Sequence, residues 1–179
     1  MEHSSAQTMA ADGKDALRSA FLEAMSHTAA TVNIVTTDGP AGRAGVTVSA
    51  MTPVSADTPA PSLLVCINRS SKACPPILKN GVFCLNVLRD DQSHISDVFA
   101  GRIGTADGDK FSCADWVEQG TGAPRVIEPL VAFDCRLTHS ELFGTHYVMF
   151  GEVEDIFIAE RGLPLLYASR AYGTPARLE

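Results

Sequence analysis

Two short stretches carry the residue types with which this chain could grip a ligand. Thr47-Val48-Ser49-Ala50 lies in one predicted β-type segment, residues 44–51, and Asn68, Ser70 and Ser71 follow a second, residues 62–67. Small side chains on extended backbone let a flat molecule approach closely. Loop hydroxyls and backbone N–H groups can then hold an anion such as a phosphate. The combination suits a planar, phosphorylated ligand. The same residues also read as a half-buried strand and an ordinary polar turn, where Ser and Asn are common.

Conventional catalytic constellations are missing. The chain has no GxSxG, no HExxH, no Walker loop and no GxGxxG after a strand. Its histidines, His3, His27, His94, His139 and His146, show no metal-ligand spacing, so no metal site is expected. Such a chain fits an enzyme in which an organic cofactor does the hard chemistry and the protein orients it. The five cysteines are an odd number with no CxxC pair, which argues against a disulfide framework or a zinc site. Cys66, Cys84 and Cys135 sit in apolar runs and read as small core residues.

The elements that must position these residues fit one domain, since the chain has 179 residues and no repeat or composition shift. Residues 1–14 read as a disordered arm and residues 15–179 as the folded unit. A formal charge of −7 argues against nucleic acid and anionic membranes as partners. No apolar run approaches the roughly 20 residues that span a bilayer. The first residues lack the apolar core of a secretory signal, so a cytoplasmic location is expected.

Leu17, Phe21 and Met25 recur every four residues and predict a helix over 15–25. Residues 31–37 are β-branched, end at Asp38-Gly39-Pro40, and predict a hairpin with 44–51. Pro53, Pro59 and Pro61 keep the next connection out of a central ladder. Short helices are predicted over 72–80, ended by Gly81, and over 91–100. Strands are predicted over 82–88, 131–137 and 145–158, with a turn at Gly144-Thr145 and a bend at Gly151. A last short strand covers 165–167, and 169–179 is a tail. Short strands with few helices predict a mainly β fold with a closed or sandwiched antiparallel sheet. Asn86, in an apolar strand, must find partners. It could brace the ligand loop or make a purely structural strand–loop bond.

The blocks AATVNIVTTDGPAGRAGVTVSAMTPVSADTPAPSLLVCINRSS, GVFCLNVL, DKF, GTHYVMFGEV and PLLYASRAY, in that order, resemble the flavin reductase family over residues 21–172. These are the small NAD(P)H:flavin oxidoreductases that supply reduced flavin to two-component monooxygenases, such as the 4-hydroxyphenylacetate 3-monooxygenase reductase component. The resemblance implies an FMN-binding split β-barrel, a homodimer, FMN or FAD, and NADH or NADPH as co-substrate. It implies that Thr47, Val48, Ser49 and Ala50 line the isoalloxazine ring. Ile67, Asn68, Ser70 and Ser71 would hold the ribityl chain and phosphate, with Lys110 and Arg102 as cationic partners and Phe111 beside them. His146, as the catalytic residue, would seat the nicotinamide with Arg170 and Tyr172. Hydride would pass from NADH to the flavin N5, and reduced flavin would leave for a separate monooxygenase. Lys72 could also reach a phosphate, or be a solvated surface residue. Pro59-Ala60-Pro61 departs from the usual Pro-Pro, and the loop at 105–109 is Gly/Asp-rich. Two other readings stand beside this one: a flavoprotein reductase of another acceptor, such as a cobalt corrinoid, and a non-catalytic flavin-binding module.

Overall fold

The computed structural model describes residues 2–178, with side chains from residue 13 onward. Helix α1 spans Glu2–Ser26, so residues 2–14, expected as a disordered arm, are helical. Ala, Gln, Met, Glu and Lys dominate this stretch and favour helix, and Gly13 interrupts it without ending it. Strands β1 (Ala30–Thr31) and β2 (Asn33–Thr37) follow, then β3 (Ala44–Val48), β4 (Met51–Ser55) and β5 (Ser62–Asn68). Helix α2 (Cys74–Asn80) precedes β6 (Val82–Val87), and α3 (Ser93–Phe99) precedes a 3₁₀ turn at Lys110–Cys113. Next come β7 (Trp116–Glu118), β8 (Pro124–Val126), and the long strands β9 (Val131–Phe143) and β10 (His146–Ile158). The hairpin of β11 (Leu166–Ala168) and β12 (Ala171–Gly173) closes the chain.

One antiparallel sheet dominates, in the order β3-β2-β6-β9-β10-β5-β4. Its edge strands β3 and β4 are consecutive in sequence, with only Ser49 and Ala50 between them. Three Cα steps reach about 11 Å at most. The two edges must therefore curl round to meet, which makes a barrel. β3 pairs with β2 and β4 with β5, and the seam between the two edges stays split. Pro53 lies on edge strand β4, where its missing N–H costs no central ladder bond.

The barrel interior is filled by Val35, Val65, Ile67, Phe83, Leu85 and Met149, and Ile77 of α2 is buried with them. Gly151 makes that packing possible: a Cβ there would lie 2.5 Å from the Phe83 ring and 3.0 Å from Cys135 Cβ. A register shift between Phe150 and Gly151 marks the bend expected there. A second apolar cluster, on the outer side of β2, gathers Ile34, Ile95, Val98, Phe99, Phe111 and Leu165. It fixes α3 and the 3₁₀ turn against the barrel.

Asn86 is fully buried and structural. Its amide donates to Ile34 O at 3.1 Å and Thr36 Oγ1 at 3.3 Å, and its Oδ1 accepts from Val126 N at 2.8 Å. It pins β2 and β8 to β6 and does not brace the ligand loop. Cys84 and Cys135 are buried as expected, and burial pushes both thiols well above the ordinary range.

Candidate active site

The split seam opens into a cleft. Three neighbouring compartments of about 670, 330 and 220 Å³ share Thr47 as a common wall. Thr47 is held in place by its hydroxyl, which donates to Ser96 O on α3 at 2.8 Å. Gly45, two residues earlier, lets α3 pack directly on β3: a Cβ there would sit 2.5 Å from the Phe99 ring.

The largest compartment lies between β3, the β5–α2 loop and the 3₁₀ turn. Asn68 shapes the loop: its Oδ1 accepts from Ser70 N at 2.9 Å and from Ser70 Oγ at 2.8 Å. Ser71 N donates to Asn68 O at 2.9 Å, and Ser71 Oγ accepts from Ala73 N at 3.3 Å. Ser71 and Lys72 thus face Lys110 across the compartment. The Lys110 ammonium donates to Phe99 O at 2.8 Å. Burial, and then the like charge of Lys72, hold its pKa below the ordinary lysine value. Two ammonium groups that repel each other across a hydroxyl-lined hollow are a donor set for an anion. A phosphate set between them would relieve that repulsion, so these residues fit a phosphorylated flavin. Phe111 is buried behind them and stacks edge-on against Phe99, with ring centroids 5.1 Å apart.

The middle compartment is lined by Val48, Ser49, Ala50, Ile67 and His146. His146 opens β10 opposite Asn68 of β5, and its Nδ1 lies 3.0 Å from Thr145 Oγ1. Cys66 also faces this space, and burial raises its pKa, which keeps the thiol protonated.

The smallest compartment is aromatic. The Tyr172 hydroxyl donates to Asp97 Oδ1 at 2.8 Å and lies 2.9 Å from Ser96 Oγ. It accepts from Arg102 Nη1 at 3.0 Å, and Arg102 is also ion-paired to Asp97 at 3.1 Å. The guanidinium lies 5.3 Å from the Tyr167 ring centroid and 5.5 Å from that of Tyr172. Burial raises the Tyr172 pKa, so the phenol stays neutral.

Most residues expected at the site line this cleft. Thr47, Val48, Ser49, Ala50, Ile67, Asn68, Ser70, Ser71, Lys110, Phe111, His146 and Tyr172 do so. Two expectations need correction. Arg102 belongs to the aromatic compartment, because Asp97 and the two tyrosines hold it there, and it does not join Lys110. Arg170 stands outside: it sits with Ser169 in a two-residue turn of positive φ (50° and 61°), and its guanidinium pairs with Glu23 of α1. Sequence reasoning missed Arg43, Ser96, Asp97 and Tyr167. Asp97 and Arg102 are five residues apart and opposite in charge, with α3 ending between them, and that nearness in sequence is the one signal that could have linked them. Among the described residues no cluster of His, Cys, Asp and Glu is built to hold a metal, and no helix is long and apolar enough to cross a membrane.

Comparison with known proteins agrees with this geometry. A family model described as "Flavin reductase like domain" matches residues 25–176. The chain is 46% identical over 154 residues to FMN reductase (NADH) RutF 2 of Methylorubrum extorquens, covering 86% of this chain and 87% of that protein. It is 42% identical over 160 residues to FMN reductase (NADH) RutF of Klebsiella pneumoniae, covering 89% and 95%. The crystal structure of BorF, the flavin reductase component of a bacterial two-component tryptophan halogenase, superposes with a TM-score of 0.77 at 29% identity, over 92% of this chain and 99% of that one.

Proposed function

Because the chain belongs to the flavin reductase family, we propose that the two ends of its cleft divide the work of an NADH-dependent flavin reductase between a phosphate anchor and a nicotinamide seat. The protein is an oxidoreductase that takes hydride from NADH to FMN or FAD. When bound, the flavin supplies the hydride acceptor and carries the two electrons away in its reduced form. Everything else falls to positioning. Ser70, Ser71, Lys72 and Lys110 hold the phosphate by charge-assisted hydrogen bonds. The small residues Thr47, Ser49 and Ala50 leave a flat wall against which the ring system lies. His146 in the middle compartment and Tyr172 in the aromatic one seat the nicotinamide. Arg102 and Asp97 lock the Tyr172 ring by satisfying its hydroxyl. Holding donor and acceptor in register lowers the barrier without a protein acid or base.

The observation that carries this reading is the continuity of one cleft from the Lys72–Lys110 pair to the Tyr172 cluster, with Thr47 shared between them. A separate flavin-dependent oxygenase or halogenase receives the reduced flavin, a reading supported by the likeness to BorF, the reductase component of a two-component halogenase. A second copy of the chain covers Leu17, Phe21, Leu22 and Met25, an apolar stripe of α1 that is about half to three-quarters exposed. We place this single folded unit, residues 15–179, in the cytoplasm with its NADH. The test is anaerobic mixing of the protein with NADH and a large excess of FMN. Bleaching of many flavins per chain is the expected result; bleaching of one per chain, or none, overturns the reading.

A further inference from the structure

One further contact bears on which flavin the phosphate end accepts, and it rests on the flavin reading above. Arg43, just before β3, reaches across to the segment leading into the 3₁₀ turn. Its Nη2 donates to Asp109 Oδ2 at 3.1 Å, and its guanidinium carbon lies 4.4 Å from the centroid of the Phe111 ring. The second carboxylate oxygen of Asp109 accepts from Phe111 N at 3.0 Å, so one side chain both caps the turn and holds the arginine. Both partners line the same compartment as Ser71, Lys72 and Lys110, from opposite walls, and both are nearly half exposed. At about 3.3 Å of strand rise per residue, Arg43 lies roughly 13 Å along β3 from Thr47. The half-exposed bridge therefore lies at the part of the phosphate compartment away from the ring wall.

We infer that the Arg43–Asp109 bridge sets flavin length, favouring the mononucleotide over the dinucleotide. A ligand that ends in one phosphate between Ser71 and Lys110 leaves the bridge intact. FAD must lead a second phosphate and an adenosine outward past it. There the Arg43 charge is already spent on Asp109, so the closed pair offers the second phosphate no counter-charge. Admission of FAD then requires the ion pair and the stack on Phe111 to open. Contacts of this exposed kind are individually weak, so the discrimination expected is about tenfold.

Flavin fluorescence titration tests this without turnover, by giving dissociation constants for FMN and FAD. The wild-type chain is expected to bind FMN about tenfold more tightly. Asp109→Asn keeps the oxygen that caps Phe111 N but removes the charge and frees Arg43 for a second phosphate. It is expected to lower the FAD/FMN ratio of dissociation constants by about tenfold. Arg43→Ala leaves a bare carboxylate in the path of FAD and is expected not to lower the ratio. In the double variant most of the gain from Asp109→Asn is expected to vanish, because that gain needs Arg43. Equal affinity of the wild type for both flavins overturns the inference. So does an unchanged ratio in Asp109→Asn, or a fall in Arg43→Ala as large as that in Asp109→Asn, which mere loosening would give. Failure of the wild type to bind either flavin overturns the functional reading along with it.

Discussion

At one end of the cleft, Lys110 donates to a carbonyl oxygen and feels the like charge of Lys72. At the other, Arg102 is ion-paired to Asp97, bonded to the Tyr172 hydroxyl and set against two aromatic rings. Both ends are cationic in composition, yet only the first has charge left to spend. A cation held by its own carboxylate is a structural part; cations that repel each other beside a serine-rich loop are a binding site waiting for an anion. The difference separates anchoring from positioning, and it gives the two ends different mutational signatures.

The largest effect should come from reversing charge at the anchoring end. Lys110→Glu is expected to weaken FMN binding by about a hundredfold, from loss of one charge-assisted bond and gain of a repulsion. Fluorescence titration measures this, and a loss below about threefold would remove Lys110 from the phosphate site. Ser71→Asp comes next, with FMN affinity expected to fall at least about tenfold as a carboxylate meets the phosphate. An unchanged affinity would take Ser71 out of the site. In the middle compartment, His146→Ala should raise the Michaelis constant for NADH by about three- to tenfold and that for FMN by much less. The reverse pattern would move His146 to the flavin. The smallest effect is expected from Tyr172→Phe, which removes the hydroxyl that joins Asp97 and Arg102. It should lower unfolding stability by about 1 kcal/mol, read from urea denaturation, with FMN affinity unchanged. A large loss of FMN affinity would mean that the two ends are not separable.

How much of this could be read from the sequence differs between the same two ends. The β5–α2 loop is local: Asn68, Ser70 and Ser71 make their turn with each other, so residue type and spacing mark the turn, while its assignment to a phosphate rests on the family resemblance. The bend at Gly151 and the turn at Gly144 are local in the same way. The aromatic end is not. Arg102, Asp97 and Tyr172 meet only because β12 folds back beside α3, and β12 itself was read as part of a tail. Its turn uses Ser169 and Arg170 at positive φ, where Asn-Gly would have announced a hairpin. The resemblance puts Arg170 at the nicotinamide, but the turn carries it to Glu23 on α1. Asn86 announced a need for partners, but no local pattern could name Ile34 and Val126 as those partners. Nor could the hairpin pattern show that Arg43 meets Asp109, because the pair joins segments far apart in the chain.

The most direct measurement compares two ligands that differ only at the phosphate. Riboflavin and FMN present the same ring system and ribityl chain to the cleft, so their difference in affinity isolates the Ser71, Lys72 and Lys110 end. Titration of the wild-type protein should give FMN a dissociation constant about a hundredfold or more below that of riboflavin, with the gap shrinking as salt is added. Equal affinity for the two would contradict an anchor built on phosphate, and the division of the cleft into a binding end and a positioning end would fall with it.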